Sequence, residues 1–135
     1  PGSNWEKVDD VVADGNATRV EGNSSTWRRD SYTIQVHSTG YGTIDSVVAH
    51  VACRGQGGSG QSARTSLRVG GTYFDGVTID LDPVTDYTDY STKYVVNPAT
   101  SIAWTWTEID SMEAGVSIRN TGRCTQVWVE VFFSN

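Results

Sequence analysis

The feature that most constrains this fold is a strict alternation of apolar and polar side chains, interrupted at short intervals by turn-forming residues. Residues 47–54 show it best, with Val47 and Val51 on one face and His50 and Arg54 on the other. Successive side chains of an extended strand point to opposite sides of a sheet, so this pattern predicts antiparallel strands with one buried and one solvated face. Similar runs occupy residues 32–36, 63–69, 77–82, 90–96 and 125–133.

One helical segment interrupts the strands. Thr105 and Glu108 have the spacing of a capping box, in which each side chain satisfies a backbone N–H of the other residue at the start of a helix. Gly115 stands where a helix would end in a left-handed residue. The spacing predicts one short connector helix near residues 105–114.

These elements together predict an all-β fold, an antiparallel two-sheet β-sandwich or jelly roll. Abundant valine and threonine suit pleated sheets, and fourteen glycines supply turns. Residues 4–135 are long enough for a single domain with its own core. Residues 1–3, Pro-Gly-Ser, are typical of the remnant of a cleaved affinity tag.

The charge balance argues against two classes of partner. Ten basic and sixteen acidic residues give a net charge of −6, whereas sequence-independent nucleic-acid binding needs a basic footprint. The same balance disfavours an anionic membrane surface. No apolar run approaches the roughly 20 residues of a membrane-spanning helix. We therefore expect neither nucleic acid nor membrane as a partner.

Whether the two cysteines form a disulfide stays open at this point. Cys53 shares the inward face of Val51, whereas Cys124 shares the parity of Trp128, which points outward. A β-bulge at residues 122–123 would turn Cys124 inward and permit a pair. The spacing of the cysteines and histidines does not predict a zinc site.

Catalytic motifs are weak. The chain has no Gly-x-Ser-x-Gly elbow, and its histidines, His37 and His50, are more typical of strand surfaces than of a triad. Asp80 and Asp82 share a strand face, as paired glycosidase carboxylates can, but a solvated face explains them as well. We predict that the protein is not an enzyme.

Acidic loops are the only candidates for a metal site. Asp9, Asp10 and Asp14 precede a glycine, and their hard oxygen ligands suit Ca²⁺, although the spacing is not that of an EF-hand. A second acidic loop spans residues 82–89. The alternative for both loops is plain solvation, so calcium is a possible cofactor only.

Aromatic residues are the better indication of ligand binding. Trp128 and Phe132 have outward parity on the last strand, where exposed rings suit sugar stacking or a protein interface. Tyr87 and Tyr90, interleaved with aspartates, form a second candidate patch in a loop, and Trp27 is a further candidate. The alternative is that the N-terminal segment covers Trp128 and Phe132.

Several motifs occur in an order that is shared with a known family. They are Leu-Arg-Val-Gly-Gly-Thr at 67–72, Tyr-Val-Val-Asn-Pro-Ala-Thr at 94–100, Ala-Trp-Thr at 103–105 and Glu-Ala-Gly-Val at 113–116. With the segments 4–20, 31–34 and 44–51, this order resembles a β-sandwich domain that recurs in tailed-phage virion proteins and prophage genes. The resemblance covers nearly the whole chain except its last strand. It implies a virion or extracellular location and no particular reaction or site residue.

The sequence thus predicts a non-enzymatic, virion-associated structural or appendage module that acts by surface recognition of a virion protein or a glycan. The alternative is a carbohydrate-binding module of a secreted or phage-encoded glycan-active protein. The oligomeric state stays open in both interpretations.

Overall fold

The computed structural model describes residues 20–21, 24–34 and 42–134, and it is an antiparallel two-sheet β-sandwich with one short helix, as predicted. The elements of this described part are β1 (Val20–Glu21), β2 (Ser24–Thr33), β3 (Thr43–Arg54), β4 (Ser62–Val69), β5 (Thr72–Asp75), β6 (Ile79–Asp80), β7 (Thr88–Tyr94), α1 (Trp106–Ser111), β8 (Glu113–Asn120) and β9 (Arg123–Ser134). Within these residues no helix has the length and apolar character needed to cross a membrane.

The two sheets are assembled from strands that are distant in the chain. Sheet A has the order β1-β9-β3-β7, and sheet B has the order β2-β8-β4-β5, with β6 also paired to β4. The longest pairing joins β3 to β9, where Val47 lies opposite Val131 and Val51 opposite Val127. These four valines stand on the inner face of sheet A.

The core lies between the sheets and is filled by the apolar half of each alternating strand. Val47 and Val51 of β3, Leu67 of β4 and Val116 of β8 are each at most 1% exposed. Val47 and Leu67 belong to a cluster that Trp104, Ile109 and Met112 complete at the helical end. Burying side chains of this size contributes about 1.5–3 kcal/mol each, so the inward half of each strand stabilises the fold substantially.

The helix is shorter than predicted. The capping box is present: the Thr105 hydroxyl accepts from the backbone N–H of Glu108 at 3.3 Å, and the Glu108 carboxylate accepts from that of Thr105 at 2.8 Å. The helix ends at Ser111 because Met112 is already extended. Gly115 therefore does not end the helix. It lies within β8, where a Cβ would collide with the backbone oxygen of Asp30 on the neighbouring strand.

Cys53 and Cys124 lie directly opposite one another on β3 and β9, and both are completely buried free thiols. The register shifts between Ala52, which pairs with Gln126, and Cys53, which pairs with Cys124. Thr125 is therefore the bulged residue, and the bulge turns Cys124 inward. The bulge that would turn Cys124 inward is therefore present, but it lies at Thr125 rather than at residues 122–123.

Candidate functional site

A compact cluster stands on the outer face of sheet A. His50 of β3 is opposite Trp128 of β9, and their rings stack with centroids 4.5 Å apart and an interplanar angle of 6°. Asp89 of β7 and Glu130 of β9 flank the histidine. Since His50 belongs to a central strand, both sheet neighbours contribute a carboxylate to it. We call these four residues the His50 cluster.

Both ring nitrogens of His50 face carboxylate oxygens. Nδ1 lies 3.1 Å from Oδ1 and 3.2 Å from Oδ2 of Asp89, and Nε2 lies 2.9 Å from Oε1 of Glu130. A carboxylate only accepts, so each contact is a hydrogen bond only when the facing nitrogen carries a proton. With its side chain only 12% exposed, His50 is held from both edges. The ring is therefore fixed in position, and it holds the Trp128 indole against one of its faces.

Phe132 extends this surface along β9. It lies opposite Ser46 on β3 and is 46% exposed, four residues beyond Trp128 on the same face of the strand. The next residue, Phe133, lies instead opposite the buried Ile44, and its ring meets the Trp106 ring edge-on at 5.5 Å. The His50 cluster and Phe132 together form what we call the aromatic face.

The predicted tyrosine patch is divided by the structure. Tyr87 lies in the loop before β7, with the Arg54 guanidinium 5.7 Å from its ring centroid. Tyr90 lies opposite Val51 and packs against the core cluster that contains Cys53, and burial raises the pKa of its hydroxyl. The two tyrosines therefore do not present a common surface.

Trp27 lies on the opposite side of the molecule from Trp128. It stands on the outer face of sheet B, where the guanidinium groups of Arg64 and Arg119 lie 4.0 and 4.7 Å from its ring centroid. Sequence reasoning missed these arginines. The signal was present in β4, where Arg64 and Arg68 alternate with buried residues and so share the outward face.

Of the two acidic loops that were candidates for a metal site, one lies outside the described residues and the other lies within them. Asp9, Asp10 and Asp14 lie outside the described residues. Among the residues that are described, no group of three or more histidine, cysteine, aspartate or glutamate side chains is arranged to hold a metal ion. In the second acidic loop, Asp82 accepts from the backbone N–H of Gln61 at 2.8 Å and so ties this loop to the residue before β4.

The described residues define an all-β, two-sheet sandwich, and its candidate binding residues stand on the outer face of a sheet. Comparisons of the chain with protein-family models, with curated proteins and with solved structures found no match. The side chains of this chain and the order of its motifs are therefore the observations from which a function is inferred.

Proposed function

We propose that this protein is a non-enzymatic recognition module that serves as a structural or appendage component of a tailed-phage virion, located on the virion or outside the cell. The observation that carries the proposal is the stacking of Trp128 on a histidine that two carboxylates hold in place. The phage context is supported by the order of motifs in the sequence.

The contacts of His50 favour recognition over catalysis. Its two nitrogens are both directed at carboxylates, so no hydroxyl or thiol of the described residues occupies the position of an activated nucleophile. A general base needs a free nitrogen within hydrogen-bond reach of the proton it removes. In this arrangement the histidine positions its neighbours.

The backbone of the aromatic face and its Trp128 ring are held in place before any partner binds. Trp128 and Phe132 stand on β9, which pairs with β3 along nearly its whole length, and the stack on His50 restricts the Trp128 ring further. Ordering a side chain on binding costs about 0.5–1.5 kcal/mol, and a surface that is already ordered avoids this cost. Tryptophan is among the residue types that dominate binding energy in interfaces, and phenylalanine is enriched at interface cores.

A second candidate, a carbohydrate-binding module, is favoured by one specific observation. The Trp128 ring, which offers an apolar platform, stacks on His50, whose ring nitrogens face the carboxylates of Asp89 and Glu130. These carboxylates are 52% and 49% exposed. An apolar ring beside hydrogen-bond acceptors suits a sugar, whose C–H face stacks and whose hydroxyls donate. The two candidates use the same face and differ in the partner.

The test measures binding and self-association of variants of the aromatic face. Trp128→Ala and Phe132→Ala are compared with Ile102→Ala, which removes an exposed apolar side chain elsewhere. A polysaccharide-affinity screen, run with calcium and with chelator, detects glycan binding, and sedimentation velocity detects assembly. Loss of cooperative unfolding in Trp128→Ala would place Trp128 in the core and exclude it as a binding residue.

Each outcome has a defined meaning. Assembly that depends on Trp128 and Phe132 but not on Ile102 supports the structural virion role. Saturable binding of a soluble glycan by the monomer, with the same dependence, supports the carbohydrate-binding role. If all three variants behave as the wild type in both assays, the aromatic face is not the recognition surface and the proposal fails.

A further inference from the structure

The outer face of sheet B concentrates positive charge in an acidic protein. Arg29 of β2, Arg64 and Arg68 of β4, and Arg119 of β8 are four of the ten basic residues of a chain whose net charge is −6. All four guanidinium groups lie over aromatic rings of the same face. We call this surface the arginine face. It belongs to the sheet opposite the aromatic face, so a site here would be separate from the one in the proposed function.

Half of the arginine face is electrically balanced. The guanidinium groups of Arg29 and Arg68 lie 4.2 and 5.5 Å from the centroid of Tyr73. Each also has a carboxylate partner: Arg29 pairs with Asp75 at 2.5 Å, and Arg68 pairs with Glu113 at 3.1 Å. These two arginines are therefore explained by the packing and ion pairs of the sheet itself.

The other half carries unbalanced charge. Arg64 donates to the Thr78 hydroxyl at 3.1 Å and Arg119 donates to the Ser62 hydroxyl at 3.2 Å, and both partners are neutral. Among the described residues no carboxylate forms an ion pair with either arginine. Both guanidinium groups contact Trp27, so they are closer than the Debye length of about 10 Å and repel one another.

An anion would complete this arrangement. A guanidinium has five N–H donors in a planar fork, and each of these two uses one of them on a hydroxyl group. Stacking on Trp27 limits the orientations of both forks. Carboxylate and sulfate groups match the fork geometry, and such charge-assisted hydrogen bonds are about twice as strong as neutral ones.

We propose that Trp27, Arg64 and Arg119 form a binding site for the acidic groups of an anionic polysaccharide, with the indole holding the two guanidinium groups in place. Sulfate and carboxylate groups share the chemistry that the site recognises. Nucleic acid is disfavoured because it draws on many phosphate contacts along a basic track, whereas this face has only two unbalanced arginines on an acidic protein.

The experiment uses the charge balance as an internal control. Arg64→Gln and Arg119→Gln are compared with Arg29→Gln and Arg68→Gln, which remove the same charge from the same face. Binding to immobilised dextran sulfate and polygalacturonate is measured by biolayer interferometry, with neutral dextran and duplex DNA as reference ligands. Thermal unfolding of every variant checks that the fold is retained.

We expect a loss of affinity of about tenfold or more for Arg64→Gln and for Arg119→Gln, since each loses charge-assisted hydrogen bonds to the ligand. The two control variants should lose less than about threefold, the effect of a more distant charge. Arg64→Lys, which keeps the charge but not the fork, should be intermediate. Binding to dextran sulfate alone assigns the site to sulfate, and binding to polygalacturonate alone assigns it to carboxylate.

Three results would overturn the proposal. An equal loss in all four glutamine variants would mean that only the net charge of the face matters. DNA binding as tight as polysaccharide binding would assign the face to nucleic acid. Absence of binding to both acidic polysaccharides at low salt, with all variants folded, would show that the arginines are structural.

Discussion

The hydroxyl groups of Thr65 and Thr92 lie 2.6 Å apart between the two sheets, and they form a direct hydrogen bond from β4 of sheet B to β7 of sheet A. Thr65 is only 1% exposed. Gly76 packs against this pair, and a Cβ at that position would collide with both hydroxyls. A polar contact thus lies within the apolar layer, and the absence of a side chain at Gly76 leaves room for it.

Replacing one threonine of this pair should be costly, and replacing both should be much less so. Thr65→Val or Thr92→Val leaves a hydroxyl without its partner, so we expect each to lower the free energy of unfolding by about 1–3 kcal/mol. The double variant removes both polar groups and should lose less than the sum of the single losses. Urea unfolding of the four proteins gives the coupling energy. Strictly additive losses would show that the hydroxyls do not interact.

Tyr32→Phe should preserve or increase stability. The Tyr32 hydroxyl is buried and has no hydrogen-bond partner among the described residues, and burial, with the nearby Asp30 charge, raises the pKa of this phenol well above its ordinary value. Removing an unsatisfied buried hydroxyl avoids its desolvation cost, so the variant should be within about 0.5 kcal/mol of the wild type or more stable. A loss of more than about 1 kcal/mol in chemical unfolding would reveal a partner for the hydroxyl.

Both thiols should resist alkylation in the folded protein. Burial, followed by its contact with Cys124, raises the pKa of the Cys53 thiol above its ordinary value of 9.0. Only thiolates react, so iodoacetamide should modify the folded protein at least about a hundredfold more slowly than the denatured chain. Mass spectrometry of quenched samples counts the modified cysteines. Rapid native modification would show that the β3–β9 pairing opens readily.

The raised pKa of the Cys53 thiol also affects the stability of the fold at alkaline pH. The folded protein keeps Cys53 protonated at pH values where the unfolded chain ionises, so the stabilisation is complete below pH 9.0 and declines as the pH rises through the elevated folded pKa. Cys53→Ala should show a shallower loss of stability on this limb. An unchanged limb would assign alkaline unfolding to the buried tyrosines.

Acid should weaken the loop that Asp82 holds. Backbone N–H groups of Gln61 and then Gly60 donate to its carboxylate and lower its pKa below the ordinary 3.8. A lowered folded pKa contributes stability that is present above pH 3.8 and is lost as the pH falls through the folded value. Asp82→Asn should therefore be less stable than the wild type at pH 7 and less sensitive to acid. Asp86→Asn, which changes an exposed aspartate of the same loop, serves as the control and should show neither the loss of stability at pH 7 nor the reduced sensitivity to acid.

The parts of the structure that the sequence predicted depend on local rules. Alternation places Val47 and Val51 inward and His50 outward in any sheet, because the period of a strand is two residues. The Thr105–Glu108 capping box forms within a single turn and needs no other contact. Each of these features depends on residues close together in the chain.

The features that the sequence predicted wrongly or did not reveal depend on contacts between strands that are distant in the chain. The position of the bulge at Thr125 depends on how β9 matches β3, and Gly115 is needed because β2 approaches it closely. The Trp27 site requires β2, β4 and β8 to lie together, and no property of Trp27 alone distinguishes it from an ordinary surface tryptophan. Such features cannot be predicted until the order of strands in the sheet is known.

The sequence by itself determined the inward and outward faces of the regular strand segments and the one capped helix, because each follows from spacing within a short segment. The number of such strands and the turns between them predicted the two-sheet architecture. Only the tertiary structure decided which outward side chains meet. His50 contacts Asp89 and Glu130, 39 and 80 residues away in the chain, because β7 and β9 flank β3 in sheet A. Strand order is set by the packing of the whole core. It therefore decides which outward side chains become neighbours on each outer face.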